Sequence, residues 1–168
     1  MRRRSLLKLG AMSAAALLVA GGMLTLLEPG LRGGKLSAGG RLVFSGAGRA
    51  LLDGSLPAGG DARQRAVEGL LVRIDALVAA LSPHAQSELS QLLAVLASAG
   101  GRRAMAGLGQ PWESASVDDI QQALQSMRVS GISLRQQAYQ ALHDIVSSAY
   151  FSDAGTWSLL GYPGPLKI

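Results

Sequence analysis

Between Asp61 and Tyr150 the apolar residues recur at three- and four-residue steps, and nowhere do they alternate with polar ones. That rhythm leaves helices as the main building block, because a strand buries every second residue while a helix buries a stripe. Val67, Leu70, Leu71, Ile74, Leu77, Val78 and Leu81 form one stripe, with Arg63, Arg65, Glu68, Arg73 and Asp75 on the other side. Asp61 stands where an N-cap is expected. Ser82-Pro83 restarts the chain with a cap and a proline at the first helical position. The next helix buries Ala85, Leu89, Leu92, Leu93 and Leu96, and Gly100-Gly101 is expected to end it. Ser116-Val117-Asp118-Asp119 resembles a capping box with aspartate in place of Glu or Gln. Its helix buries Val117, Ile120, Leu124 and Met127. A last long helix runs to about Tyr150, with Leu134, Ala138, Ala141, Leu142, Ile145, Val146 and Ala149 inward. The fold class is all-α: four to five main helices in a small domain, closed by an irregular aromatic C-terminal tail.

The earlier stretch is less regular. Residues 28–36 read as a Gly-rich linker, and residues 37–168 as the helical domain with its C-terminal docking tail. Leu42, Val43, Phe44, Ala47, Ala50 and Leu51 would line one side of a first helix, although Gly39, Gly40, Gly46 and Gly48 each weaken it by up to about 1 kcal/mol. Gly46-Ala47-Gly48 is not a dinucleotide fingerprint. The third glycine of that motif would fall at position 51, which is leucine.

Residues 1–27 have the form of an address. Arg2, Arg3, Arg4 and Lys8 hold four of the sixteen basic residues of the 168-residue chain. The remainder holds twelve basic against eleven acidic residues, so the net charge of +5 belongs mostly to the N-terminus. The body carries no electrostatic footprint for a phosphate backbone, and aromatics at 4% are too few for a base-stacking platform. Nucleic acid is therefore not an expected partner. Leu9 to Leu27 is free of charge, and as a helix these 19 residues would reach about 28 Å, close to the thickness of bilayer hydrocarbon. This is a signal or transmembrane-like helix.

The residues Arg3, Arg4, Leu6, Leu7 and Lys8 resemble a twin-arginine export signal, whose pathway carries folded cargo. An ordinary Sec signal and a plain anchor with basic flanks are the alternatives. No good Ala-x-Ala cleavage site follows the apolar run, so cleavage and retention as a membrane anchor through residues 9–27 both stay open. In either case the body lies outside, in the periplasm or on the periplasmic face of the inner membrane.

A search for chemistry finds little. Absence of cysteine excludes a disulfide scaffold, a thiolate metal site, a cysteine nucleophile and a lipoprotein anchor. His84 is expected at an exposed first turn. His143 and Asp144, adjacent on a helix, are expected to point about 100° apart. Asp144 and Asp153 could face one another, but no third metal ligand is apparent. Glu88 and Glu113 have no evident partner for acid–base work. Arg102-Arg103 reads as a solvated turn. No catalytic, metal or cofactor-binding residue is expected in this chain.

The tail carries the informative residues. Ala149-Tyr150-Phe151-Ser152-Asp153, then Trp157, then Leu160-Gly161-Tyr162-Pro163-Gly164-Pro165 is similar to the C-terminal signature of the gluconate 2-dehydrogenase subunit 3 family. The resemblance covers residues 139–165 and extends loosely to Leu51-Leu52-Asp53-Gly54-Ser55-Leu56-Pro57. Only Asp153-Ala154-Gly155-Thr156 stands where family members often carry a longer Gly-rich insert. The resemblance implies a non-catalytic small subunit that bears the twin-arginine signal and escorts a flavin-dependent dehydrogenase of the glucose–methanol–choline type. The partners it implies are that dehydrogenase, which would hold the FAD, the twin-arginine translocase and a cytochrome c subunit. Tyr150, Phe151, Trp157, Gly161, Tyr162, Pro163, Gly164 and Pro165 would be the docking residues. Aromatic side chains offer wide contact at low entropy cost, and the prolines stiffen the backbone beforehand. A cap folded over the chain's own core is the competing reading of the same tail. A stand-alone, signal-anchored helical scaffold of another envelope complex is the competing reading of the whole chain.

Overall fold

The computed structural model describes residues 27–161; the residues that resemble an export signal, most of the apolar run and Tyr162 to Ile168 lie outside them. Five long helices form the body: α1 (Ala38–Leu51), α2 (Gly60–Ala79), α3 (Pro83–Ala97), α5 (Val117–Arg128) and α6 (Ser133–Phe151). A single turn, α4 (Ala99–Gly101), runs into a π-helical turn at Arg102–Ala106, and a 3-10 helix occupies Ala154–Leu160. The described residues are mostly helical, with two short strands. Among the described residues no helix is long and apolar enough to cross a membrane.

The centre of the body is α1, the helix with the weakest sequence signal. It packs against α2, α3, α5 and α6 at once. Val43, Phe44, Ala47 and Ala50 are buried. Leu42, expected among them, is 40% exposed, because a helix surrounded by neighbours still has one side toward water. Its glycines are the reason it can sit there. A Cβ at Gly46 would come 2.9 Å from Cε3 of Trp112, and one at Gly48 would come 2.7 Å from Cδ2 of Leu70. Missing side chains let backbones approach, which offsets the loss in helix propensity. Trp112 is 1% exposed, donates its indole N–H to the Leu96 carbonyl at 2.8 Å, and accepts from Arg49 Nη2 at its own carbonyl at 2.8 Å.

Residues 28–36, expected as a linker, instead contain an antiparallel hairpin: β1 (Leu31–Arg32) and β2 (Lys35–Leu36), with Leu31 opposite Leu36 and Arg32 opposite Lys35. Gly33 and Gly34 turn it, both at positive φ (57° and 73°), as a two-residue turn of this hand requires. The hairpin is seated on the body. Leu31 and Leu36 join the core. The Gly30 N–H donates to the Ser90 carbonyl at 3.1 Å. The Asp75 carboxylate takes the Leu36 N–H at 2.8 Å and Arg41 Nη1 at 2.9 Å.

Local signals held in part. Ser82 caps α3, accepting from the Ala85 N–H at 3.3 Å. Ser116 caps α5, accepting from the Asp119 N–H at 3.1 Å and donating its hydroxyl to the Asp119 carboxylate at 2.8 Å. Asp61 does not cap α2: the N-cap is Gly59, and Asp61 lies in the first turn, where its charge suits the dipole. Gly100-Gly101 does not stop the chain but passes into the π-helical turn, which ends at Gly107 with φ 73°. Arg102, expected in water, is 6% exposed and donates Nε to the Leu108 carbonyl at 3.3 Å.

Candidate partner-docking site

The end of α6 is tied to the turn after α1. Tyr150, 5% exposed, donates its hydroxyl to the Ser55 carbonyl at 2.7 Å, across 95 residues of sequence. Burial pushes that hydroxyl above the ordinary tyrosine range; Arg73 opposes the shift and Asp153 adds to it. Arg73, on α2, braces the same corner. Its Nε donates to the Ala149 carbonyl at 2.8 Å, satisfying one of the carbonyls at the end of α6, and its Nη1 meets Asp153 Oδ2 at 3.2 Å. Asp153 Oδ1 accepts from the Gly155 N–H at 2.9 Å and so bends the chain into the 3-10 helix. Thr156 is buried and donates to the Asp153 carbonyl at 2.7 Å. Trp157 Nε1 donates to the Phe151 carbonyl at 2.9 Å, folding the indole back along α6.

Between these pieces lies an open groove of about 730 Å³. Gly54 to Pro57 form one wall, Arg65, Gly69 and Arg73 of α2 the floor, and Tyr150, Asp153, Gly155 and Thr156 the other wall. The turn after α1 and the end of α6 thus meet at one site. Of the residues expected to dock, Tyr150 is spent inside the fold as a strut, so it positions its neighbours more than it offers surface. Phe151 is half-buried, its ring edge-on to Tyr150 at 5.2 Å between centroids. Trp157 is half-buried beside it, and Gly161 is exposed at φ 67°. Tyr162, Pro163, Gly164 and Pro165 lie outside the described residues, as do Arg3, Arg4, Leu6, Leu7 and Lys8.

Sequence reasoning put Arg73 on a solvated face and missed it as the brace. The available signal was Asp153, a carboxylate of opposite charge in the tail. Asp144 and Asp153 do not face one another: Asp144 accepts from Gln140 Nε2 at 2.6 Å, one turn back along α6. His143 and Asp144 do meet, at 3.2 Å from Nδ1 to Oδ1, because both side chains curl along the exposed face. The Tyr139 ring lies 5.7 Å from that imidazole. Glu88 has a partner in His84 at 3.3 Å, four residues away on the same helix. Among the described residues no group of His, Asp or Glu could hold a metal ion. A second, smaller cleft of about 380 Å³ lies between Gly107–Gln110 and α5, where the nearest carboxylate, Asp119, is already engaged with the Ser116 cap. No family model, curated protein or solved structure matches this chain.

Proposed function

We propose that this protein is a non-catalytic subunit that carries a twin-arginine export signal and escorts a flavin-dependent dehydrogenase to the periplasm or the periplasmic face of the inner membrane. Arg3, Arg4, Leu6, Leu7 and Lys8 are the address, and Leu9 to Leu27 the signal or signal-anchor helix. The partner holds the FAD; the groove and the aromatic tail hold the partner. The observation that carries this reading is the Tyr150–Ser55 tie. It joins the two stretches that resemble the gluconate 2-dehydrogenase subunit 3 family into one wall-and-floor groove. The titratable side chains around that groove are used to build it, which fits a binding surface better than an acid–base site.

The test is affinity purification of the tagged full chain, with the co-eluting polypeptide identified and its visible absorbance read for flavin. The Gly69→Arg variant is the companion. A Cβ at Gly69 meets only Arg73 Nη1, at 3.6 Å, so the new side chain is accommodated and projects into the groove. Loss of the co-eluting flavoprotein with unchanged helicity is expected. A flavoprotein that never co-elutes with the parent chain would overturn the proposal.

A further inference from the structure

We propose that the hairpin end of the body is a bilayer-facing surface, seated on anionic lipid headgroups, with the Arg65 end of the docking groove held away from it. The proposal rests on the reading of Leu9 to Leu27 as a retained anchor within the function proposed above.

The first observation is the lack of slack. The apolar run ends at Leu27, and only Glu28 and Pro29 separate it from Gly30, which is already bonded to Ser90. Leu31 N–H donates to Ser90 Oγ at 3.1 Å, and the hairpin is then fixed by Asp75. A body joined by two residues cannot tumble on its anchor, so the end where the chain enters is the end that meets the membrane.

The second observation is what that end presents. Arg32 and Lys35 are exposed at the hairpin tip. Glu28 lies 3.7 Å from Arg32, but both are mostly in water, so the pair leaves the cation available to headgroups. Each such cation near an anionic surface favours contact about fivefold.

The third observation lies in the α5–α6 turn. Gln121, early in α5, donates to the Ala50 carbonyl at the end of α1. Packed along α1, α5 runs back from there toward the hairpin end. Tyr150 sits at the groove, and Ser133 begins α6 about 25 Å away. The turn between them, Arg128 to Ile132, therefore closes the same end as the hairpin. It exposes Val129 at 66% and Ile132 at 59%, the most exposed large apolar residues in the body apart from Val72. Apolar tips flanked by a basic residue are what an interfacial surface needs. Arg65, on the groove, stands ten residues along α2 from Asp75, which fixes the hairpin, so it lies about 15 Å on, more than a Debye length from the headgroup charge.

Absence of cysteine makes the test direct. Full-length chains carrying Lys35→Cys, Ile132→Cys or Arg65→Cys are labelled with one fluorophore each. They are reconstituted in vesicles of phosphatidylcholine and phosphatidylglycerol in equal parts, with a nitroxide quencher on the headgroups. Labels at 35 and 132 should lose most of their emission, and the label at 65, on the groove, should keep it. Equal quenching at all three, or an unquenched label at 132, overturns the proposal, as does an intact mass from membranes that lacks the apolar run. The chain is measured alone, so a missing dehydrogenase, which would sink the escort reading, leaves this pattern unchanged.

Discussion

Replacing Gly46 with alanine sets two effects of known size against each other. Alanine in the middle of a helix is favoured over glycine by about 1 kcal/mol. The new methyl would stand 2.9 Å from Cε3, 3.2 Å from the carbonyl oxygen and 3.3 Å from Cβ of Trp112. Trp112 has nowhere to retreat, since its indole is bonded to Leu96 and its carbonyl to Arg49. Overpacking against an immovable neighbour costs about 1–3 kcal/mol, and the pinned tryptophan argues for the upper end. The net expectation is a loss of roughly 2 kcal/mol, or about 4–8 °C in the melting temperature of a domain this size. The control is Gly69→Ala in α2, where the nearest atom is Arg73 Nη1 at 3.6 Å. There only the propensity gain remains, and melting should rise by about 2–4 °C. Both variants are read as thermal loss of the helical circular dichroism signal of the full chain in detergent. A Gly46→Ala protein that melts at or above the parent temperature would refute the close approach of α1 and Trp112.

Three further outcomes are expected. Because the folded chain holds the Tyr150 proton more tightly than the unfolded chain, this residue's contribution is whole below pH 10.0 and is lost as pH rises through the folded value; urea midpoints should fall on that alkaline side, and less so in Tyr150→Phe. Replacing Arg3 and Arg4 with lysine should leave the chain folded in the cytoplasm, and normal periplasmic delivery on fractionation would remove the twin-arginine reading. Deleting Trp157 to Ile168 should leave an exported, helical body while the flavoprotein stays inside; full flavoprotein export would show that the tail is not the docking element.

The helices were legible because their apolar stripes are local. Leu70, Leu71, Ile74 and Val78 announce α2 without knowledge of any other element, and Ser82 and Ser116 announce the starts of α3 and α5. The hairpin was not legible by period, since strands of two residues are too short to alternate. Its mark was Gly33-Gly34 between Leu31 and Leu36, which composition alone reads as a linker. In α1 the glycines were counted as weaknesses, because the close neighbours that reward them, Trp112 and Leu70, lie far off in sequence. The site was half legible. Tyr150 and the 51–57 turn stood out by resemblance, but Arg73 reaches Asp153 across 80 residues, and no local pattern encodes a meeting of that kind.

The tie between Tyr150 and Ser55 also sets a clock on synthesis. One wall of the groove leaves the ribosome 95 residues before the other. At ordinary rates of about 5–20 residues per second, that is a wait of roughly 5–20 s during which the early wall has nothing to close against. A partner that needs both walls would engage only a chain already extended past Tyr150. Under the function proposed above, a dehydrogenase would bind only an escort whose last long helix is already made.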